Sequence, residues 1–177
     1  LKLIKLNTEL AELLDLDKDF LLSENGTMFL GGQALPETTK SISLAYAGHQ
    51  FGQLVPQLGD GRALLLGDKI CKDNQRRDIQ LKGSDKTMFS RGGDGRAGIG
   101  PVIREYLVSE SMHYLDVPTT RSLAILLTGE KVVRETIQPG AILVRVAKSH
   151  VRVGTFQFFA IRDQQDHVQR LADFIID

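Results

Sequence analysis

An α+β fold, with a mainly antiparallel sheet and one key helix, is predicted by three observations. Short strand-like apolar stretches crowd the centre of the chain, one strongly helical segment interrupts them, and further strands follow it. That order does not repeat the strand–helix alternation of a doubly wound parallel sheet. The 177 residues, 42% hydrophobic and 25% charged, are enough for one domain or two small lobes with a core of their own.

Taken in order, the opening LKLIKLNTELAELLDLD has the acidic content and spacing of a surface helix and lacks the apolar core of a secretory signal. Loops are expected from Gly26 to Gly32 and near Pro36. Strands are predicted at about 63–70 (ALLLGDKI), 78–83 (DIQLKG), 122–128 (SLAILLT), 131–136 (KVVRET) and 141–147 (AILVRVA). The helix is placed at 101–115: Pro101 suits a first turn, where no intrahelical N–H bond is lost, and Asp116-Val117-Pro118 closes it. A second helical stretch, roughly 154–176, spaces Val168, Leu171 and Ile175 on one side. The chain opens without Met and ends inside that pattern, so a fragment is expected whose last helix leaves Val168, Leu171, Phe174 and Ile175 without a complete cover.

Charge and composition narrow the function classes. Lysine plus arginine equal aspartate plus glutamate at 22 each, which argues against a protein that coats nucleic acid through bulk charge. Absence of Trp and 6% aromatics argue against base stacking. Yet residues 61–154 are basic while both ends are acidic, the pattern of a local anion site. No apolar run approaches the ~18 residues of a membrane span. Cys71, the only cysteine, allows neither an internal disulfide nor a cysteine zinc site and suits a reducing, cytoplasmic compartment. The four histidines lack metal-ligand spacing, and no Ser or Cys occupies a nucleophile motif.

The chemistry concentrates in the basic centre. Six of 17 glycines lie in GSDKTMFSRGGDGRAGIG (83–100) with Lys86, Arg91 and Arg96; glycine lets backbone N–H groups approach a phosphate that basic side chains neutralise. The segment matches neither a P-loop nor a dinucleotide fingerprint, and alone it also reads as a flexible loop. Gly59-Asp60-Gly61-Arg62 alone reads as a hairpin turn. In Asp78-Ile79-Gln80-Leu81-Lys82 alternation puts Lys82 on the polar face with Asp78 and Gln80. On the helix, Ile103, Leu107 and Tyr114 form an apolar stripe, whereas Glu105 shares its side with Val108 and Met112. An inward carboxylate needs a cation, and Lys82 is the candidate. Arg145 interrupts an apolar strand and Arg152 follows in SHVRVG; each either grips an anion or snorkels to water. His150, beside them, is a weaker candidate for proton transfer than for a structural role.

The strings YAGHQFGQLVPQLGDGRALLLGD, DIQLKGSDKTMFSRGGDGRAGIGPVIREYLVSESMHYLDVPTTRSLAI and AILVRVAKSHVRVGTFQFFA together resemble the amino-terminal part of the selenoprotein O family, from about residue 44 to 160. The resemblance implies a protein-kinase-like N-terminal lobe, truncated before the catalytic lobe, in an enzyme that transfers AMP from ATP to Ser, Thr or Tyr hydroxyls of proteins. It divides the chain into an extension (1–43), the nucleotide-binding lobe (44–150) and the start of a helical lobe (151–177). It makes Lys82 the strand lysine and Glu105 its helix partner, matches Gly59, Gly61 and Arg62 to one nucleotide-contacting cluster and Asp94 and Gly95 to another, and gives Arg145 and Arg152 the phosphates of a flipped ATP. The sequence departs from the family pattern at Asp85 and Met88, where a small residue and proline are usual. The catalytic Asp and the Mg²⁺ ligands are expected beyond residue 177, so the resemblance assigns no catalytic or metal residue here and implies a fragment inactive by itself. ATP and hydroxyl-bearing proteins are the expected partners, with neither nucleic acid nor membrane. A non-catalytic nucleotide-binding scaffold, of pseudokinase type, is the alternative.

Overall fold

The computed structural model describes residues 1–176 as an α+β fold. In chain order the elements are β1 (Lys2–Leu6), α1 (Thr8–Leu13), α2 (Lys18–Leu22), α3 (Glu24–Leu30), β2 (Gly48–Gln50), β3 (Gln53–Val55), β4 (Ala63–Ile70), β5 (Arg76–Lys82), β6 (Ala97–Gly98), α4 (Ile99–Tyr114), β7 (Arg121–Val133), β8 (Ile137–Ala147), α5 (Val153–Ala160) and α6 (Gln165–Ile176). The main sheet runs β1-β7-β8-β5-β4 with β6 on β8, and every pairing is antiparallel. No helix is long and apolar enough to cross a membrane among the described residues.

The opening residues correct the helix expected there. Lys2 to Leu6 pair with β7, Leu6 opposite Ala124, and only from Thr8 does the chain turn helical. Asn7 marks the switch by accepting the Leu10 N–H at 3.1 Å, which satisfies one of the free donors at a helix start. The sheet edge offers these five residues more backbone hydrogen bonding than a first helical turn could. Gly26 also lies in a helix, α3, instead of the expected loop. A side chain there would overlap the Phe20 backbone, so glycine permits α2 and α3 to pack closely.

Two expected strands, 122–128 and 131–136, are one: β7 continues through a register shift between Leu127 and Lys131, where Gly129 takes φ +83°. The expected 154–176 helix is in turn divided at Ile161–Gln164, with Asp163 left-handed at φ +56°. In α6, Phe174 (49%) and Ile175 (39%) are exposed, and Arg76 lies over the Phe174 ring at 4.1 Å.

One core joins the first 43 residues to the sheet. Leu10, Leu14, Leu21 and Leu30 pack with Leu81, Leu123, Leu126 and Val144, each nearly inaccessible. Burial of one such side chain stabilises by about 1.5–3 kcal/mol. The other sheet face carries α4 through Val102 and Tyr106 against Ile125 and Leu143. The stripe Ile103, Leu107 and Tyr114 instead faces outward, at 39–67% exposure. Polar anchors decide this rotation. Glu110, buried, accepts from Arg121 Nη2 (2.7 Å), the Ser122 N–H (2.8 Å) and Asn7 Nδ2 (2.7 Å), and Ser109 meets Ser122 at 2.8 Å. Burial raises the pKa of the Glu110 carboxyl, but these donors outweigh it and the net shift is downward.

Candidate functional site

Strand β5 separates its two faces as its alternation predicts. Leu81 and Ile79 enter the core, while Asp78, Gln80 and Lys82 each hold a different piece of the site on the other side. Asp78 accepts the His150 N–H at 2.8 Å and so fixes the turn leading to Arg152. Gln80, wholly buried, accepts from Arg145 Nη1 at 2.6 Å and donates to Asp60 Oδ2 at 3.2 Å. Lys82 Nζ meets Glu105 Oε2 at 2.5 Å, the pair expected from strand and helix spacing.

Glu105 serves two cations, because its other oxygen lies 3.0 Å from Arg145 Nε. Arg152 pairs with Asp60 at 3.1 Å and lies over the Tyr46 ring at 4.4 Å. A continuous chain of contacts thus runs Lys82, Glu105, Arg145, Gln80, Asp60, Arg152. Burial lowers the Lys82 pKa against the opposing pull of Glu105, and burial likewise lowers that of Arg145. Burial raises the Asp60 carboxyl pKa, although Arg152 and Arg145 pull it down.

These cations open on a cavity of about 470 Å³. Of the residues singled out in the sequence, Gly59, Gly61, Arg62, Lys82, Asp94, Gly95, Arg145 and Arg152 all line it, and Glu105 stands behind Lys82 and Arg145. Seven lining residues are Lys or Arg and two are Asp, a balance that draws in a polyanion. His150 is buried and is not among the lining residues.

Two backbone turns shape the walls. Gly59 has φ +77°, and a side chain on it would overlap the Phe89 ring. The glycine-rich segment docks on this turn: Thr87 Oγ1 donates to the Asp60 carbonyl at 2.7 Å and Ser90 Oγ to the Gly61 carbonyl at 2.6 Å. Gly95, at φ +69°, packs against the Asp85 backbone with no room for a Cβ. Asp94 between these walls is already bound, accepting from both Arg134 terminal nitrogens at 2.8 Å; these hydrogen bonds hold its carboxyl below the usual range.

Asp60, Gln80 and Arg134 escaped the sequence reading. Gln80 had a signal, its place on the Lys82 face; Asp60 had one in its flanking glycines; Arg134 had none, since its partner is forty residues away. The carboxylates at the cavity do not fit a divalent cation. Asp60, Asp94 and Glu105 are each engaged by cations, and no cluster of three or more His, Cys, Asp or Glu suits a metal among the described residues.

A family model described as protein adenylyltransferase SelO matches residues 1–177. The protein nucleotidyltransferase YdiU of Rhodopseudomonas palustris (strain BisB5) is 65% identical over 175 residues, 99% of this chain and 36% of the relative. Its counterpart from Bradyrhizobium diazoefficiens is 61% identical with the same coverage, and that from Alkalilimnicola ehrlichii is 60% identical over 174 residues, 98% of this chain and 35% of the relative. The chain therefore spans about a third of the length of these curated relatives.

Proposed function

The chain belongs to the protein adenylyltransferase SelO family, and from that membership we propose that it is the ATP-binding lobe of an enzyme that transfers AMP to Ser, Thr or Tyr hydroxyls of proteins. On this reading residues 44–150 form a kinase-like N-terminal lobe, residues 1–43 an extension packed on it, and residues 151–177 the approach to a helical catalytic lobe. A reducing, cytoplasmic setting suits its single buried cysteine.

The observation that carries the proposal is the charge chain that gathers Lys82, Arg145 and Arg152 at one cavity. Three cations held by only two carboxylates and one amide retain attraction for a triphosphate. Charge-assisted hydrogen bonds from them contribute about 1.5–3 kcal/mol each. Gly59, Gly61 and Arg62 on one wall, with Asp94 and Gly95 on the other, would seat the rest of the nucleotide. During transfer, fixed cations would stabilise charge growing on the departing pyrophosphate without having to reorient. Mg²⁺, on the family resemblance, would shield the phosphates from ligands beyond this chain; no residue of this lobe is assigned to it.

The test uses full-length protein and ATP labelled at the α or the γ position. Retention of α label on a protein acceptor is the expected result. Retention of γ label would make the protein a kinase, and retention of neither would leave a nucleotide-binding scaffold.

A further inference from the structure

The alternating polar face of β5 contains a residue whose chemistry the nucleotide reading has not used. Gln80 is completely buried, between Leu65 on one neighbouring strand and Arg145 on the other, a costly place for an amide unless both its ends are satisfied. Both are. Arg145 can only donate, so the Gln80 oxygen faces it at 2.6 Å; Asp60 offers a carboxylate oxygen, so the Gln80 nitrogen faces that at 3.2 Å. The amide thus has one orientation, and it ties the two halves of the site together.

The consequences reach both arginines. Arg145 donates one hydrogen bond, from Nη1 to Gln80, while its Nε, 3.0 Å from a Glu105 oxygen, forms an ion pair without hydrogen-bond alignment. Arg152 Nη1 lies 3.1 Å from an Asp60 oxygen, an ion pair without hydrogen-bond alignment, and the guanidinium is flanked by the Tyr46 ring. Asp60 is itself fixed: Gln80 holds one carboxylate oxygen, and its backbone N–H donates to the Leu44 carbonyl at 2.9 Å. Without Gln80 and Asp60, nothing in this chain of contacts would join the Lys82–Glu105–Arg145 group to Arg152.

We propose that Gln80 and Asp60 are positioning residues that set Arg145 and Arg152 at a fixed spacing, matched to successive phosphates of a nucleoside polyphosphate. The inference rests on the nucleotide reading above. It assigns to this pair the discrimination between a polyphosphate and an uncharged nucleoside, not binding of the base.

The test is a reciprocal exchange in the full-length protein, read by calorimetric titration with ATP and with adenosine. Gln80→Glu sets two carboxylates against each other and should weaken ATP binding about tenfold, with adenosine unchanged within about twofold. Asp60→Asn removes the charge behind Arg152 and should weaken ATP several-fold. Combining the two restores one acid and one amide with a donor facing an acceptor, so the double variant should recover most of the loss. That rescue is a result that a merely space-filling pair would not give. ATP affinity unchanged in Gln80→Glu, equal loss of ATP and adenosine, or a double variant no better than the weaker single one would each overturn the proposal. If Gln80→Glu does not fold, Asp60→Asn carries the test, and wild-type ATP affinity in it overturns the proposal. Arg145→Ala is the control: if it binds ATP normally, the nucleotide reading itself falls and the proposal with it.

Discussion

Lys82 and Glu105, twenty-three residues apart in sequence, meet at 2.5 Å with about a quarter of each side chain exposed. The contact joins a strand to a helix, and through the second Glu105 oxygen it extends to Arg145. Glu105→Gln would leave two neighbouring cations without their shared counter-charge. Removal of one partner from a fully buried pair costs about 3–5 kcal/mol; partial exposure here reduces the expected loss to about 1–3 kcal/mol. Urea unfolding of the full-length protein measures it.

Glu110 gives a pH dependence of definite sign. Its folded pKa lies below the ordinary value of 4.5, so its contribution to stability is fully present above that pH and is lost as pH falls through the folded value. At pH 7, Glu110→Gln should destabilise by about 2–4 kcal/mol, since Arg121 loses its counter-ion inside the fold. Between pH 5 and pH 3 the gap between wild type and variant should narrow. A gap constant across that range, in denaturant titrations at each pH, would show that the charge of the carboxylate is irrelevant and only its shape matters.

The glycine-rich wall permits a paired comparison. Gly92 and Gly95 both have positive φ, +81° and +69°, but only at Gly95 would an added methyl meet backbone, that of Asp85. Gly92→Ala should cost only the conformational strain, about 1 kcal/mol. Gly95→Ala should shift the Asp94 turn as well and weaken ATP binding at least fivefold by titration, leaving Gly92→Ala close to wild type.

Much of this arrangement was legible in the sequence because it is local. Period-two alternation put Asp78, Gln80 and Lys82 on one face, and the position of Glu105 on a helix called for a cation, which Lys82 supplies from twenty-three residues earlier in the chain. What stayed hidden depends on partners far along the chain. Lys2 to Leu6 have helical spacing on paper, yet a free sheet edge more than a hundred residues later claims them. The apolar stripe Ile103, Leu107 and Tyr114 of α4 is exposed, because Glu110, held by Arg121 and Asn7, sets the rotation of the helix. Arg134 grips Asp94 across forty residues, which no local pattern encodes.

Arg145 and Arg152 should differ in what they do for the fold and agree in what they do for the ligand. The Arg145 side chain is 13% exposed and bridges Glu105 and Gln80, whereas that of Arg152 is 38% exposed and has a single carboxylate partner. Arg145→Ala should therefore destabilise the protein by about 2–4 kcal/mol, leaving Glu105 short of a counter-charge and Gln80 short of a donor, and Arg152→Ala by about 1 kcal/mol. For ATP the ranking should vanish. Each guanidinium supplies a comparable charge-assisted contact, so each loss should weaken ATP about tenfold or more, with adenosine binding changed far less. Melting curves and calorimetry on the same preparations separate the two effects. If the loss of ATP affinity followed the loss of stability, with Arg152→Ala almost silent in both, Arg152 would be a surface residue propped against Asp60 and Tyr46, and the triphosphate would have to be held by Lys82 and Arg145 without it.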